Sequence, residues 1–422
     1  MDKATVSILV FVGAYILFVF LPNRRSLVAV GAAAVLVLTQ TVTLHEAVEG
    51  INWNVMGIFV GMLIAADVFI ESRCPAYLAE LIVNRARSTA WAMLFICALT
   101  SGLSIFVENV ATVLIIAPVA LALAKKLDIN PVNMLIGIAI CSNLQGAATL
   151  IGDPPSMLLG GYAKMTFLDF FFYHGKPSIF FAVELGALTS LVVLYFVFRC
   201  HREKTSVVPV EVVRSWMPTL MLVILVIALA ASSFFDKGFS YLAGTICMVF
   251  GVLMLAWEKL VHGGRIWESM RRLDWDTTFF LMGIFIVVES LTVSGWISWT
   301  SDALSHVIGE NIFLGYTVLV FVAMVVSGFV DNVPFLAAML PVAMELSDKL
   351  SVNPALFLFG LLIGSSLGGN ITPIGASANI VACGMLKKEG HTVTFTRFGK
   401  IAVPFTIAAV VPAYLLIWFL WR

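Results

Sequence analysis

The chain has 422 residues, of which 60% are hydrophobic and 12% charged, and its 25 basic and 25 acidic side chains cancel to a net charge of zero. With a mean hydropathy of +1.01 it lies far outside the range of a water-soluble domain, and its charge balance gives no sign of a nucleic-acid partner. Apolar runs of about 17 to 25 residues, long enough to cross a hydrocarbon core of about 30 Å as helices, recur from end to end and leave no room for a separate soluble domain.

The first run, 6–21, is too long and too aromatic for a signal peptide, and no small-residue cleavage site follows it, so it is expected to be the first span. The next spans fall at 26–42 and 54–70; the segment 91–124 does not read as a single span; 133–162 and 177–198 follow. The second half offers 216–233, 239–257 and 277–293, another unusual segment at 312–346, then 355–382 and 401–421. If the loop 199–214 is cytoplasmic, 19 of the 25 Lys and Arg residues lie inside and 6 outside. The inside set includes Arg24, Arg25, Arg202, Lys204, Arg265, Arg271 and Arg272. That asymmetry predicts a multi-pass protein of the cell (inner) membrane with both termini extracytoplasmic.

The six cysteines show no CxxC spacing and most sit in apolar runs, where they act as small hydrophobes. All six histidines, among them His201 and His262, fall between runs. No cofactor and no buried histidine metal site is expected.

Sliding the chain against itself gives a match at an offset of 222 to 223 residues through about a hundred positions. Asn52-Trp53-Asn54 meets Asp274-Trp275-Asp276, Gly61 meets Gly283, and Glu108-Asn109-Val110 meets Asp331-Asn332-Val333. Pro118 meets Pro341, Asn130-Pro131 meets Asn353-Pro354, and Ile151-Gly152 meets Ile374-Gly375. Each half holds an odd number of crossings, five, so the second copy inserts upside down. The expected fold is therefore an all-α polytopic membrane protein of two inverted repeats, each with five crossings (one of them a broken helix) plus a re-entrant helical hairpin. The first repeat is 1–198, with its hairpin at 91–124 and broken helix at 133–162. A cytoplasmic linker, 199–215, leads to the second, 216–422, with hairpin 312–346 and broken helix 355–382.

Segment 91–124 is apolar on both arms with Glu108-Asn109 near its centre, and two full spans would want about 40 residues. A hairpin places the pair deep in the protein, where polar backbone is tolerated only around a cavity. Segment 312–346 repeats the arrangement with Asp331-Asn332 at its tip. A carboxylate at membrane depth costs about 2.5 to 3.5 kcal/mol, so two at matching positions imply ion coordination or proton carriage. The bland reading is that each acid caps the helix that follows, and both can hold.

In 133–162 the run is interrupted by Asn143, Gly146, Thr149 and Gly152-Asp153-Pro154; in 355–382 by Ser365, Gly368-Gly369-Asn370, Thr372-Pro373, Gly375, Ser377 and Asn379. Glycine frees the backbone and proline removes a donor, so carbonyls, hydroxyls and helix ends can replace an ion's hydration shell. The candidate ion- and substrate-binding residues are thus Glu108, Asn109, Thr112, Asn143, Thr149, Asp153, Asp331, Asn332, Ser365, Asn370, Thr372, Ser377 and Asn379, with Na+ sites expected near Asn109 and Asn332. Asp67 and Glu289 also correspond between halves but sit late in their spans, where an interfacial carboxylate is at least as good a reading. Glu184 has no repeat partner and is left unassigned.

The tip Asn109-Val110-Ala111-Thr112 with Pro118, and the runs 146–155 and 368–379, resemble the ion transporter superfamily. They are most similar to its arsenite permease and P-protein branch, with the sodium/dicarboxylate symporters as more distant relatives. The resemblance implies a homodimer in which a scaffold domain holds the subunits together while a transport domain carrying hairpins and broken helices moves like an elevator. In the dicarboxylate branch each hairpin tip reads Ser-Asn-Thr. Here acids stand at the first position, which makes the empty site attractive to cations and hostile to a bare dianion. The resemblance therefore implies H+ or Na+ coupling through Glu108, Asp331 and Asp153 and a small inorganic substrate, arsenite, antimonite or an anion. The alternative is sodium/proton antiport, as in another branch. An intramembrane serine enzyme is weakly suggested by Gly375-Ala376-Ser377-Ala378, but no histidine is expected inside the membrane to activate the serine. A channel could use the same broken helices.

Overall fold

A computed structural model describes residues 2–21, 24–201, 212–263, 266–309 and 311–422, without the side chain of His262. Most of the expected linker 199–215, and with it Arg202 and Lys204, lies outside the described residues, as does Arg265. Among the described residues there are twenty α-helices and one two-stranded hairpin, Phe172–Tyr173 against Lys176–Pro177.

The halves align helix for helix. The first comprises α1 (Lys3–Phe20), α2 (Arg25–Leu38), α3 (Leu44–Gly50), α4 (Trp53–Glu71), α5 (Cys74–Arg85), α6 (Thr89–Ser104), α7 (Asn109–Lys126), α8 (Val132–Gly146), α9 (Pro154–Ala163) and α10 (Ile179–Phe198). The second comprises α11 (Met217–Ser232), α12 (Leu242–His262), α13 (Ile266–Arg272), α14 (Trp275–Val293), α15 (Trp296–Ile308), α16 (Ile312–Ser327), α17 (Asn332–Lys349), α18 (Pro354–Gly368), α19 (Ser377–Lys388) and α20 (Phe395–Trp421). Among the described residues, eight helices are long and apolar enough to cross a membrane, and five shorter ones are apolar. The fold is that of an all-α, multi-span membrane protein built from two inverted repeats.

Matching contacts recur across the repeat. The Asn52 side chain accepts from the Val55 N–H at the start of α4, and Asp274 accepts from the Thr277 N–H at the start of α14. A Cβ on Gly61 would stand 2.3 Å from the Cys247 carbonyl carbon, and one on Gly283 would stand 2.6 Å from that of Ala29. So α4 lies hard against α12, and α14 against α2, each pair joining one repeat to the other. Helices α1–α4 and α11–α14 form one packed body; α6–α10 and α16–α20 form a second; α5 and α15 bridge them.

Two details differ from the sequence expectation. The short helices α5 and α15, which carry polar residues such as Glu80, Asn84 and Asp302, fall outside any apolar run. Helices α8 and α18 also continue through Asn143 and Ser365, so the breaks begin only after Gly146 and Gly368. A buried asparagine or serine is compatible with a helix when its side chain finds a partner, as both do here.

Candidate functional site

The two breaks, 147–153 and 369–376, lie side by side in the second body, and each hairpin tip is fastened to its own break by the same pair of bonds. Ser104 Oγ donates to the Ser142 carbonyl and Thr149 Oγ1 to the Ile105 carbonyl; Ser327 Oγ donates to the Ser365 carbonyl and Thr372 Oγ1 to the Gly328 carbonyl. The breaks turn on glycine because the chain folds back on itself. A Cβ on Gly152 would meet the Gly146 oxygen at 2.4 Å, and one on Gly375 the Gly369 oxygen at 2.6 Å. Ser156 Oγ and Asn379 Nδ2 each close their break onto that same oxygen, at 3.1 and 3.0 Å.

Asn143 joins the repeats. Its Nδ2 donates to the Ser366 carbonyl and to Asn370 Oδ1, both at 3.0 Å, while its Oδ1 accepts from Asn109 Nδ2 at 3.3 Å. Asn109 is held further by Ser104 Oγ, whose one proton is shared between the Ser142 carbonyl and Asn109 Oδ1 at 2.8 Å, and by Ser142 Oγ, which donates to the Asn109 carbonyl at 2.9 Å. Gly146 permits this approach, since a Cβ there would lie 2.3 Å from Asn109 Oδ1.

Glu108, Asn109, Asn143, Asp153, Asp331, Asn332 and Ser377 line one polar pocket at the seam between the bodies, together with Arg25, Asp274 and Thr277 of the first body. The space open to the centre of a water-sized sphere is about 40 Å3, room for roughly three waters or a partly hydrated ion. Asn109 and Asn332, 7% and 8% exposed, both face it. Glu108 and Asp331 each cap the helix that follows with one oxygen, accepting from the Ala111 and Val333 N–H groups at 3.0 Å. Asp331 Oδ2 pairs with Arg25 Nη1 at 2.6 Å. Asp153 is 1% exposed; its Oδ1 accepts from the Ser156 N–H at 3.0 Å, and its Oδ2 has no hydrogen-bond partner among the described residues. A buried carboxylate oxygen without a hydrogen bond is costly unless a cation or proton meets it.

Among the described residues, no three His, Cys, Asp or Glu side chains group closely enough to hold a metal ion by themselves. A cation here would draw on mixed donors: a carboxylate, the asparagine amides and backbone carbonyls of the breaks. The other expected residues lie behind the pocket rather than on it. Thr112 Oγ1 bonds the Val107 and Glu108 carbonyls, Thr149, Ser365 and Thr372 serve the tip-to-break contacts, and Asn370 and Asn379 brace the second break.

Arg25 and Asp274 are the charged side chains of the pocket that sequence reasoning passed over. Arg25 counted as a loop charge, yet it opens α2 and turns into the pocket, where Nη2 donates to Thr277 Oγ1 at 2.8 Å and Nε to Asp276 Oδ2 at 3.3 Å. Asp274 and Asp276 were visible as repeat partners of Asn52 and Asn54; acids replacing amides in one copy only was the available signal. Asp67 pairs with Arg272 at 3.0 Å, and Glu184 accepts from Gln145 Nε2 at 3.0 Å. Glu289 packs on the bare Gly50 backbone.

The pocket's two sides are packed unequally, one of them being closed. On the closed side α9 meets α4: a Cβ on Gly161 would lie 2.8 Å from both Asn52 Nδ2 and Val55 Cγ2, and buried Asn54 bonds the Phe239 carbonyl and the Gly244 N–H. The repeat-related glycine, Gly384 on α19, has nothing within 4 Å. Its counterpart partners, Asp274 and Thr277, line the pocket instead.

A family model described as a citrate transporter, CitMHS, matches residues 15–359 and 318–422. The chain belongs to that family. It is similar to an uncharacterized transporter of Mycobacterium tuberculosis (strain ATCC 25618 / H37Rv), 29% identical over 98% of each chain. It is also similar to the P protein of Sus scrofa, 27% identical over 96% of this chain and 58% of that one, in line with the resemblance read from the motifs. Among solved structures, the YdaH transporter of Alcanivorax borkumensis shares the fold, with a TM-score of 0.60 at 11% identity over 88% of this chain and 86% of that one. The family model and the Mycobacterium tuberculosis relative are both named for transport, which points to a role in membrane transport.

Proposed function

We propose that the protein is a secondary active carrier of elevator type, coupled to H+ or Na+, in which the second body moves against the first. The observation that carries this reading is the convergence of both hairpin tips and both breaks on one seam pocket with four carboxylates and a single guanidinium. With every group ionised such a pocket attracts cations, which favours coupling-ion sites at Asp153–Asn109 and Asp331–Asn332. The inequality between Gly161 and Gly384 supports the movement: exchanging the conformations of the two repeats releases Gly161 from α4 and brings Gly384 against Asp274 and Thr277. On the charge-derived orientation the pocket opens toward the cytoplasm, with both termini outside the cell (inner) membrane. The homodimer and the small inorganic substrate (arsenite, antimonite or an anion) follow from the resemblance; the family's name adds citrate. In the alternative, sodium/proton antiport, the carboxylates bind the transported ion itself.

Reconstitution into liposomes under separate sodium and proton gradients tests the reading. Saturable flux that reverses with an imposed gradient supports it; exchange of sodium for protons without any other substrate selects the antiporter; flux indifferent to both gradients selects a channel and overturns the carrier.

A further inference from the structure

A second pocket adjoins the polar one across the Arg25–Asp331 ion pair. It has about 250 Å3 of space for the centre of a water-sized sphere, more than the roughly 150 Å3 apolar cavity that holds a benzene. Phe18 and Phe280 form its buried wall, Phe329, Ile374 and Ile380, each about half exposed, form its open side, and Arg25, Asp331 and Ser377 supply the polar side chains. The Arg25 guanidinium lies over the Phe280 ring, 5.2 Å from its centroid, at the boundary of both pockets.

We propose that this pocket is the substrate site and that the substrate is an organic monoanion, whose charged group takes Arg25 from Asp331 and whose apolar body lies between Phe18, Phe280 and Ile380. The inference rests on the carrier reading for the role of the polar pocket, and puts an organic substrate in place of the inorganic one that the resemblance implies. The polar pocket has room for ions alone, so a molecule with a carbon skeleton must sit elsewhere. Arginine's planar fork matches a carboxylate with two parallel hydrogen bonds. Asp331 fills that place now, while Nη1 reaches Ser377 Oγ only at 3.4 Å.

The exchange also links the two sites. A cation arriving at Asp331 from the polar pocket and a carboxylate arriving at Arg25 from the apolar one replace a single ion pair by two, so neither charge is left bare in a low-dielectric site. Phenylalanine and isoleucine walls cannot solvate a second or third carboxylate, so a monoanion is preferred over a tricarboxylate.

The test is calorimetric binding of hexanoate, with citrate and chloride as comparisons, to the purified full-length protein in sodium-containing buffer. Hexanoate should bind and the other two should not compete. Arg25→Gln should weaken binding by about thirtyfold or more, Arg25→Lys should recover part of it, and Ile380→Trp, which fills the mouth, should abolish it. Equal hexanoate affinity in wild type and Arg25→Gln, or citrate displacing hexanoate, overturns the proposal. So does native mass spectrometry showing an anionic phospholipid held by Arg25 that hexanoate does not displace. Because binding is read without a gradient, its failure is distinct from failure of coupled flux in liposomes.

Discussion

Alanine at Gly161 and at Gly384 should drive the protein in opposite directions. A Cβ on Gly161 would stand 2.8 Å from Val55 Cγ2, where carbon atoms prefer about 3.5–4.0 Å, so the α4–α9 contact must strain or part. Overpacking of this kind costs about 1–3 kcal/mol, a shift of roughly 5- to 150-fold in the ratio of the two conformations. The gain in helix propensity from glycine to alanine, about 0.5–1 kcal/mol, applies in both conformations and drops out of the ratio. A Cβ on Gly384 meets nothing within 4 Å here, so Gly384→Ala leaves this conformation intact and penalises the exchanged one by a similar amount. The assay is the labelling rate of a cysteine at Thr277 by a membrane-impermeant thiol reagent, in a cysteine-free background in liposomes. Gly384→Ala should raise labelling and slow transport, Gly161→Ala should lower labelling, and the double variant should return it toward the parent. Wild-type labelling and transport in both single variants, or a shift of both in one direction, would refute the exchange.

Two further outcomes follow from local geometry. Asn143→Ala leaves Asn370 Oδ1, the Ser366 carbonyl and Asn109 Nδ2 without a buried partner, at about 1–3 kcal/mol for each unsatisfied group; the thermal midpoint of the detergent-purified protein should fall by several degrees, more than for Thr112→Val. Asp236, in the loop before α12, accepts from the backbone N–H groups of Ser240, Tyr241 and Leu242, and these bonds outweigh the opposing desolvation to hold its carboxyl below the ordinary value of 3.8. A depressed value means its stabilisation is present above that pH and is lost as pH falls through the lower folded value. Asp236→Ala should cost about 1 kcal/mol at neutral pH, and the gap between variant and parent in thermal melts should close in strong acid.

The span positions were legible because a lipid-facing or core helix must be apolar over its whole length, and the expected runs sit within a few residues of α1, α2, α4, α10, α11 and α14. The repeat was legible for a different reason: Asn130-Pro131 and Gly152 mark backbone requirements that cannot drift, and their images, Asn353-Pro354 and Gly375, carry the same turns. Helices α5 and α15 were hidden because amphipathic segments interrupted by charge leave no apolar run. Arg25 was hidden because sequence reports only that a cation follows a span. Whether it meets water or folds back toward Asp331, 306 positions away, depends on the packing of α2 on α14. Thr112, Thr149 and Thr372 show the converse: their polarity was visible, but only the folded structure tells a wall-bracing hydroxyl from one that faces the pocket.

Gradient-driven uptake by Glu108→Gln and Asp331→Asn, each purified, verified as folded and reconstituted beside the wild type, reads the heart of the mechanism. If seam carboxylates carry the coupling ion, neither variant concentrates substrate against its gradient under an imposed sodium or proton force. Accumulation at the wild-type level in both would remove these two acids from coupling and leave them as helix caps.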